Sequence, residues 1–191
     1  MTTTATSTVV YLPDSAPGLD PIRLAPSPAS LTGLRIAVLD NGKPNAVEVM
    51  TRAAETLAAR TGATVSLVTK KGPRGESANA AIPVADDIFE RLMHEADVVI
   101  TGSADCGSCT AYSVHDTIEL ERAGKPAVVV TTTKFEPIAV TLSASLGLPD
   151  TRRLVLPHPI GGTDEATLHE WADAAADTLI QLFTTGGQRG S

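Results

Sequence analysis

The chain has 191 residues, 42% of them hydrophobic and 19% charged, with a formal net charge of −7; this suits one globular domain and excludes an intrinsically disordered chain. No Lys/Arg cluster is longer than a pair (Lys70-Lys71, Arg152-Arg153), which excludes the basic surface that nucleic-acid binding needs for counterion release. No apolar run approaches the ~20 residues that span a bilayer, and MTTTATSTVV has no basic start followed by a long apolar run, so neither a membrane partner nor a secretory signal is expected and the expected location is the cytoplasm.

Residues 1–33 are rich in Thr, Ser and Pro (Pro13, Pro17, Pro21, Pro26, Pro28) and read as an extended arm, ordered where it docks on the domain or on a partner. The domain proper is expected over 34–185, with 186–191 as a tail. Leu34 to Leu39 is a short apolar run ending in Asp-Asn-Gly, hence a strand and a loop. Val47, Met50, Ala54 and Leu57 recur at helical spacing, predicting a helix over 46–60 that Gly62 stops. Thr64 to Val68 is β-branched and reads as the second strand, and 70–82 is a polar loop. Ile88, Leu92 and Ala96 mark the next helix. Asp97 to Thr101 is the third strand, with 102–105 as its exit loop. A helix over about 107–123 closes at Gly124, Ala127 to Thr131 is the fourth strand, and a helix covers about 136–146. Leu154 to Leu156 is a short fifth strand ended by Pro157, and Leu168, Trp171, Ala175 and Leu179 give one long C-terminal helix.

Strands alternating with helices make βαβ units. The expected fold class is therefore α/β: a single doubly wound, mostly parallel five-stranded sheet, flavodoxin-like or Rossmann-like, with right-handed crossovers placing helices on both faces. Aromatic residues are only 3%, so the core is built from Ala, Val, Leu and Ile. Ligands of such sheets bind outside the carboxyl ends of the strands. Four segments fall at that edge: Asp40 to Asn45, the cysteine segment after the third strand, Thr131 to Glu136, and Pro157-His158-Pro159.

The chain's two cysteines stand in Asp105-Cys106-Gly107-Ser108-Cys109. Cys106 lies where a strand gives way to a helix, and the free amides of a helix start favour an anion, here a thiolate. Cys109 is about one helical turn further on, so its sulfur can face the first. Cys106 is read as the attacking thiolate and Cys109 as the resolving or assisting thiol. Other readings of the motif are a pair of inert buried thiols, half of a zinc site, and a thioredoxin-like redox pair. His94, His115, His158 and His169 are not spaced as a second half-site, so no metal is expected. The context around the cysteines is not that of thioredoxin.

The segment Ser103-Ala104-Asp105-Cys106-Gly107-Ser108-Cys109-Thr110 resembles the U-G-S-C signature of a small bacterial selenoprotein family, in which U is selenocysteine and many members carry cysteine instead. Leu39-Asp40-Asn41-Gly42-Lys43-Pro44-Asn45-Ala46 is also typical of that family. More distantly, residues 103–183 resemble the C-terminal part of selenoprotein B of glycine reductase, through Glu121-Arg122-Ala123-Gly124, Pro137-Ile138 and Pro157-His158-Pro159-Ile160-Gly161. The resemblance implies that Cys106 holds the position of the selenocysteine, which in the reductase displaces nitrogen from an α-carbon. It carries the nucleophile across, not the substrate.

Around this core the sequence offers supporting candidates. His158, between two prolines, is either a general acid or base or a structural imidazole. Asp105 orients a donor or caps the following helix. Lys43 and Lys134 offset the charge of Asp105, bind a substrate carboxylate or lie solvated. Asp40, Asn41, Asn45, Ser103, Ser108 and Thr132 complete the expected substrate-binding set, with Asn41 and Asn45 read alternatively as shaping turns, Ser108 as serving the helix start and the threonine run as ordinary β-propensity. No phosphate loop, G-x-G-x-x-G or flavin signature is present, so no cofactor is expected beyond an external thiol or reductant. The expected activity is that of a cysteine-dependent enzyme of oxidoreductase or lyase type, performing covalent or redox chemistry on a small organic substrate, such as reductive C–X cleavage or thiol-assisted addition or elimination. The alternatives are a thiol–disulfide redox protein and a subunit that completes a partner enzyme's active site. Homo-oligomerisation is expected on general frequency alone.

Overall fold

A computed structural model describes residues 22–70 and 80–186. The first part of the arm (1–21), most of the 70–82 loop (71–79) and most of the tail (187–191) lie outside the described residues. The aliphatic runs form strands β1 (Arg35–Asp40), β2 (Thr64–Thr69), β3 (Val98–Ala104), β4 (Ala127–Thr132) and β5 (Arg153–Leu156). All neighbours pair in parallel, in the order β2-β1-β3-β4-β5. This is the flavodoxin-like order, and it puts a switch point between β1 and β3. The crossovers are α1 (Ala46–Thr61), α2 (Asp86–Glu95), α3 (Gly107–Arg122) and α4 (Glu136–Ser145), with α5 (Glu165–Ala174) and α6 (Ala176–Thr185) closing the fold.

Strand alternation sorts the core. Ile36 and Val38 pack with Met50, Leu57, Leu168 and Phe183 of α1, α5 and α6, whereas Ala37 and Leu39 pack with Leu92 and Leu120 of α2 and α3. A third cluster around Val114, Ile118, Val129 and Ala139 fills the space between α3 and α4. Each large aliphatic side chain buried this way contributes roughly 1.5–3 kcal/mol.

Two elements depart from the sequence expectation. Strand β3 runs on to Ala104, so most of the expected exit loop is strand. The pairing with β4 shifts register between Thr101 and Ala104 and then resumes at Ala104 and Thr131. Gly102 makes this possible: at φ +152, a Cβ there would sit 2.9 Å from the Val130 carbonyl oxygen and 3.3 Å from Met50 Sδ. The single C-terminal helix is instead two, interrupted at Ala175, whose N–H is shared between the carbonyls of Trp171 and Ala172. That tightened turn bends the chain so that Leu168, Ala172, Leu179 and Phe183 all reach the same core.

Residues 22–27 dock on the domain through a buried ion pair. Glu121 and Arg152 side chains are both 0% exposed and are paired with each other. Glu121 also accepts from the N–H groups of Ala25 (2.6 Å) and Ala127 (2.8 Å). Arg152 donates to the carbonyls of Leu182 and Ala25 and to Ser27 Oγ, each at 2.9 Å. Ile22 and Leu24 lie against the α3–α4 cluster.

On the surface, Arg52 of α1 holds Asp173 of α5 with two hydrogen bonds of 2.8 Å, and Thr56 adds one of 2.6 Å. The Arg52 hydrogen bonds, then that of Thr56, hold the Asp173 carboxyl down at about 2. A carboxylate NMR titration is expected to place its midpoint there and Arg52→Leu to return it towards the ordinary carboxylate range. Because Asp173 is depressed, this clamp's contribution is fully present above the unfolded-state carboxyl pKa of about 3.9 and is lost as pH falls towards about 2.

Candidate active site

The carboxyl ends of β1, β3, β4 and β5 carry the candidate residues, and short-range contacts tie all four of their exits together. After β1, Asp40 Oδ1 accepts from Gly42 N–H at 2.9 Å and Asn41 Oδ1 from Lys43 N–H at 3.2 Å, which shapes the turn into α1. The Asn41 amide, 1% exposed, donates to the Ser103 carbonyl (2.9 Å) and to Ser113 Oγ (3.3 Å). It therefore ties β1 to β3 and α3 across the switch point. Asn45, with left-handed backbone at the start of α1, donates to the carbonyls of Ile160 (2.9 Å) and Thr163 (2.8 Å) in the loop after β5. Both asparagines, expected to bind substrate, direct their amides at the protein's own carbonyls.

The cysteines occupy the first turn of α3. Cys106 is the N-cap: its Sγ accepts from Cys109 N–H at 3.3 Å, and its carbonyl accepts from Thr110 N–H and from the Thr110 hydroxyl at 2.6 Å. Asp105 is thus not the cap. The sulfur takes the place that a Ser or Asp oxygen holds in most helices. Cys106 is half-buried beside the exposed Gly107 and Ser108, while Cys109 is 0% exposed. Ser108 Oγ lies 3.8 Å from Cys106 Sγ. The two sulfurs are within bonding distance of each other, and their Cα atoms are 5.4 Å apart, inside the range a disulfide spans. One sulfur faces solvent and the other does not, although both ride on one helical turn.

Asp105 links this turn to the third loop. Its Oδ1 lies 3.8 Å from Cys109 Sγ, and its Oδ2 accepts from Gly161 N–H at 3.3 Å. The loop after β5 also carries His158, an exposed residue whose Nδ1 is 3.1 Å from Thr132 Oγ1. The ring of Phe135 stacks at a tilt on the imidazole, with centroids 5.6 Å apart. Thr132, expected to meet substrate, therefore positions His158. Phe135 went unremarked in the sequence, although it is the one aromatic residue in the segment that follows β4. Of the remaining candidates, Ser103 is buried with a hydroxyl that has no partner among the described residues, Lys43 is half-buried and Lys134 is exposed.

Further along α3, Asp116 is fully buried and pairs with Lys70 at the end of β2 (2.6 Å), while its other oxygen accepts from Val84 N–H. A cleft of about 560 Å³ beside β5 is lined by Glu136, Arg153 and Gln181 among others, and none of the candidate residues borders it. Among the described residues, Glu48, Glu165 and His169 bring possible metal-ligating atoms within 4.8 Å of one another. That group includes neither cysteine, and Glu48 is already hydrogen-bonded to His169. Among the described residues no helix is long and apolar enough to cross a membrane.

The family model described as "UGSC family" matches residues 10–185. No curated protein matches the chain. Among solved structures, an NAD(P)H:quinone oxidoreductase from Methanothermobacter marburgensis is 15% identical with a TM-score of 0.45, covering 78% of this chain and 100% of its own. A flavodoxin-like domain from Synechococcus sp. is 12% identical with a TM-score of 0.38, covering 76% of this chain and 97% of its own.

Proposed function

The chain belongs to the UGSC family, and from that premise we propose that it is a cysteine-dependent enzyme whose Cys106 thiolate attacks an electrophilic carbon of a small organic substrate. The observation that carries this reading is the asymmetry of the first turn of α3: Cys106 is half-exposed at the N-cap, with an N–H aimed at its sulfur, while Cys109 is shielded behind it. A cap position surrounded by backbone amides stabilises the anion, and partial exposure lets a substrate reach it.

In the reductive form of the reaction, Cys106 forms an S–C bond as the C–X bond breaks, and X leaves with the electron pair. The Cys109 sulfur then bonds to Cys106 as the S–C bond breaks, and the carbon keeps that electron pair and takes a proton. C–X has become C–H and the dithiol has become a disulfide, which an external thiol reduces. In this reading Lys43 or Lys134 meets a charged substrate group, and His158, in contact with Thr132 and Phe135, handles a proton. The reading needs no nucleotide cofactor and fits a reducing compartment such as the cytoplasm.

The test is alkylation of the reduced protein with one equivalent of iodoacetamide near neutral pH. Intact mass and peptide mapping are expected to give a single adduct on Cys106. Rapid labelling of Cys109, or of neither residue, overturns the proposal. A second reading, thiol–disulfide exchange with a partner, is favoured by the 5.4 Å Cα separation of the pair. Equilibration with thiol redox buffers discriminates, since a pair that never closes rules that reading out.

A further inference from the structure

Resting on the reading of Cys106 as nucleophile, we infer that Asp105 is the base that takes the proton of Cys109 when the pair closes. Cys109 is 0% exposed, so its thiol proton cannot pass directly to bulk water. Two acceptors lie within reach of its sulfur: the Cys106 carbonyl at 3.3 Å and Asp105 Oδ1 at 3.8 Å. A carbonyl oxygen accepts a hydrogen bond but does not keep a proton at ordinary pH, whereas a carboxylate does. Asp105 is half-exposed, so it passes the proton on to solvent. Its second oxygen is held by Gly161 N–H at 3.3 Å, which fixes the carboxylate plane and leaves Oδ1 turned to the sulfur. Asp105 is thus a catalytic residue of the second half-reaction, in contact with a reacting atom.

A small-molecule disulfide serves as the oxidant. Cys106 thiolate attacks it, forming a mixed disulfide and releasing one thiolate. Cys109 gives its proton to Asp105 Oδ1 and attacks the Cys106 sulfur; the new S–S bond forms as the mixed disulfide breaks and a second thiolate leaves. The protein dithiol loses two electrons, the external disulfide gains them, and the released thiolates take up the proton from Asp105 through solvent.

The experiment is stopped-flow reaction of the fully reduced chain with one equivalent of dithiodipyridine, following thiopyridone release from pH 5 to pH 9. The first phase reports attack by Cys106 and the second reports closure by Cys109. In Asp105→Asn the first phase is expected to persist at the wild-type rate or faster. The second is expected to slow by about 10²-fold or more at neutral pH, the usual worth of a positioned base, and to rise about tenfold per pH unit as hydroxide takes over. The asparagine oxygen still accepts from Gly161, so loop packing is retained, and a far-UV spectrum with a thermal melt checks this. Asp105→Glu is expected to recover the wild-type pH profile in part. A wild-type second phase in Asp105→Asn, in rate and in pH dependence, overturns the assignment of Asp105 alone. A missing first phase in the wild-type chain overturns the nucleophile reading, and the base with it.

Discussion

Replacing Cys106 by serine is expected to slow capture of a carbon electrophile by at least about 10³-fold, because a neutral hydroxyl replaces a thiolate at the attacking position. The variant separates chemistry from folding unusually well. Cys106 caps α3 through its sulfur, and serine is among the preferred capping residues, so the helix start keeps its acceptor. The thermal midpoint is expected to stay at or slightly above that of the wild type. Cys109→Ser gives the complementary result with an electrophile whose carbon can leave as a stabilised anion: Cys106 is alkylated, but the adduct accumulates because nothing within the chain displaces it, whereas a simple alkylating agent leaves a lasting adduct on Cys106 in both this variant and the wild type. Intact-mass time courses of the three proteins with a single electrophile distinguish these outcomes. Undiminished labelling of Cys106→Ser at the same turn of α3 would contradict the proposed chemistry.

Arg152→Met is expected to cost about 3–5 kcal/mol, the typical penalty for leaving one member of a buried ion pair without its partner. Glu121 would remain at zero exposure, with only two N–H groups to balance its charge. For a chain of this size the loss lowers the melting temperature by roughly 10 °C. Detachment of residues 22–27 supplies a second readout. Arg152 holds the Ala25 carbonyl and Ser27 Oγ, so cleavage after the exposed Arg23 by trypsin should accelerate in the variant. The double variant Glu121→Gln with Arg152→Met is expected to be less destabilised than Arg152→Met, since no net charge is left buried. A double variant at least as unstable as Arg152→Met would mean that packing of the long side chains, and not charge, holds the arm.

These two predictions also mark where the sequence was readable. Local signals sufficed for the strands, for the helix starts at Ala46 and Gly107, and for the position of Cys106, because each depends on residues within a turn or two of one another. Gly102 was read as loop: nothing near it in sequence reports that its α-hydrogen faces the Val130 carbonyl. The buried pairs Lys70–Asp116 and Glu121–Arg152 join residues 46 and 31 positions apart, and no local pattern distinguishes such charges from solvated ones. Asn41 and Asn45 read either as ligands for a substrate or as turn formers, because they sit at a strand end. Their actual partners are carbonyls of β3 and of the loop after β5, brought close only by the sheet order.

The unequal burial of the two sulfurs has a consequence for which element each position can host. At 106 the chalcogen accepts from the Cys109 amide, lies 3.8 Å from the Ser108 hydroxyl and meets the Cys109 sulfur, on a residue that is half-exposed. A larger, more polarisable atom is accommodated more readily on that half-exposed residue than in the closed interior beside it. Position 109 is fully buried, so a larger atom there has to displace its neighbours.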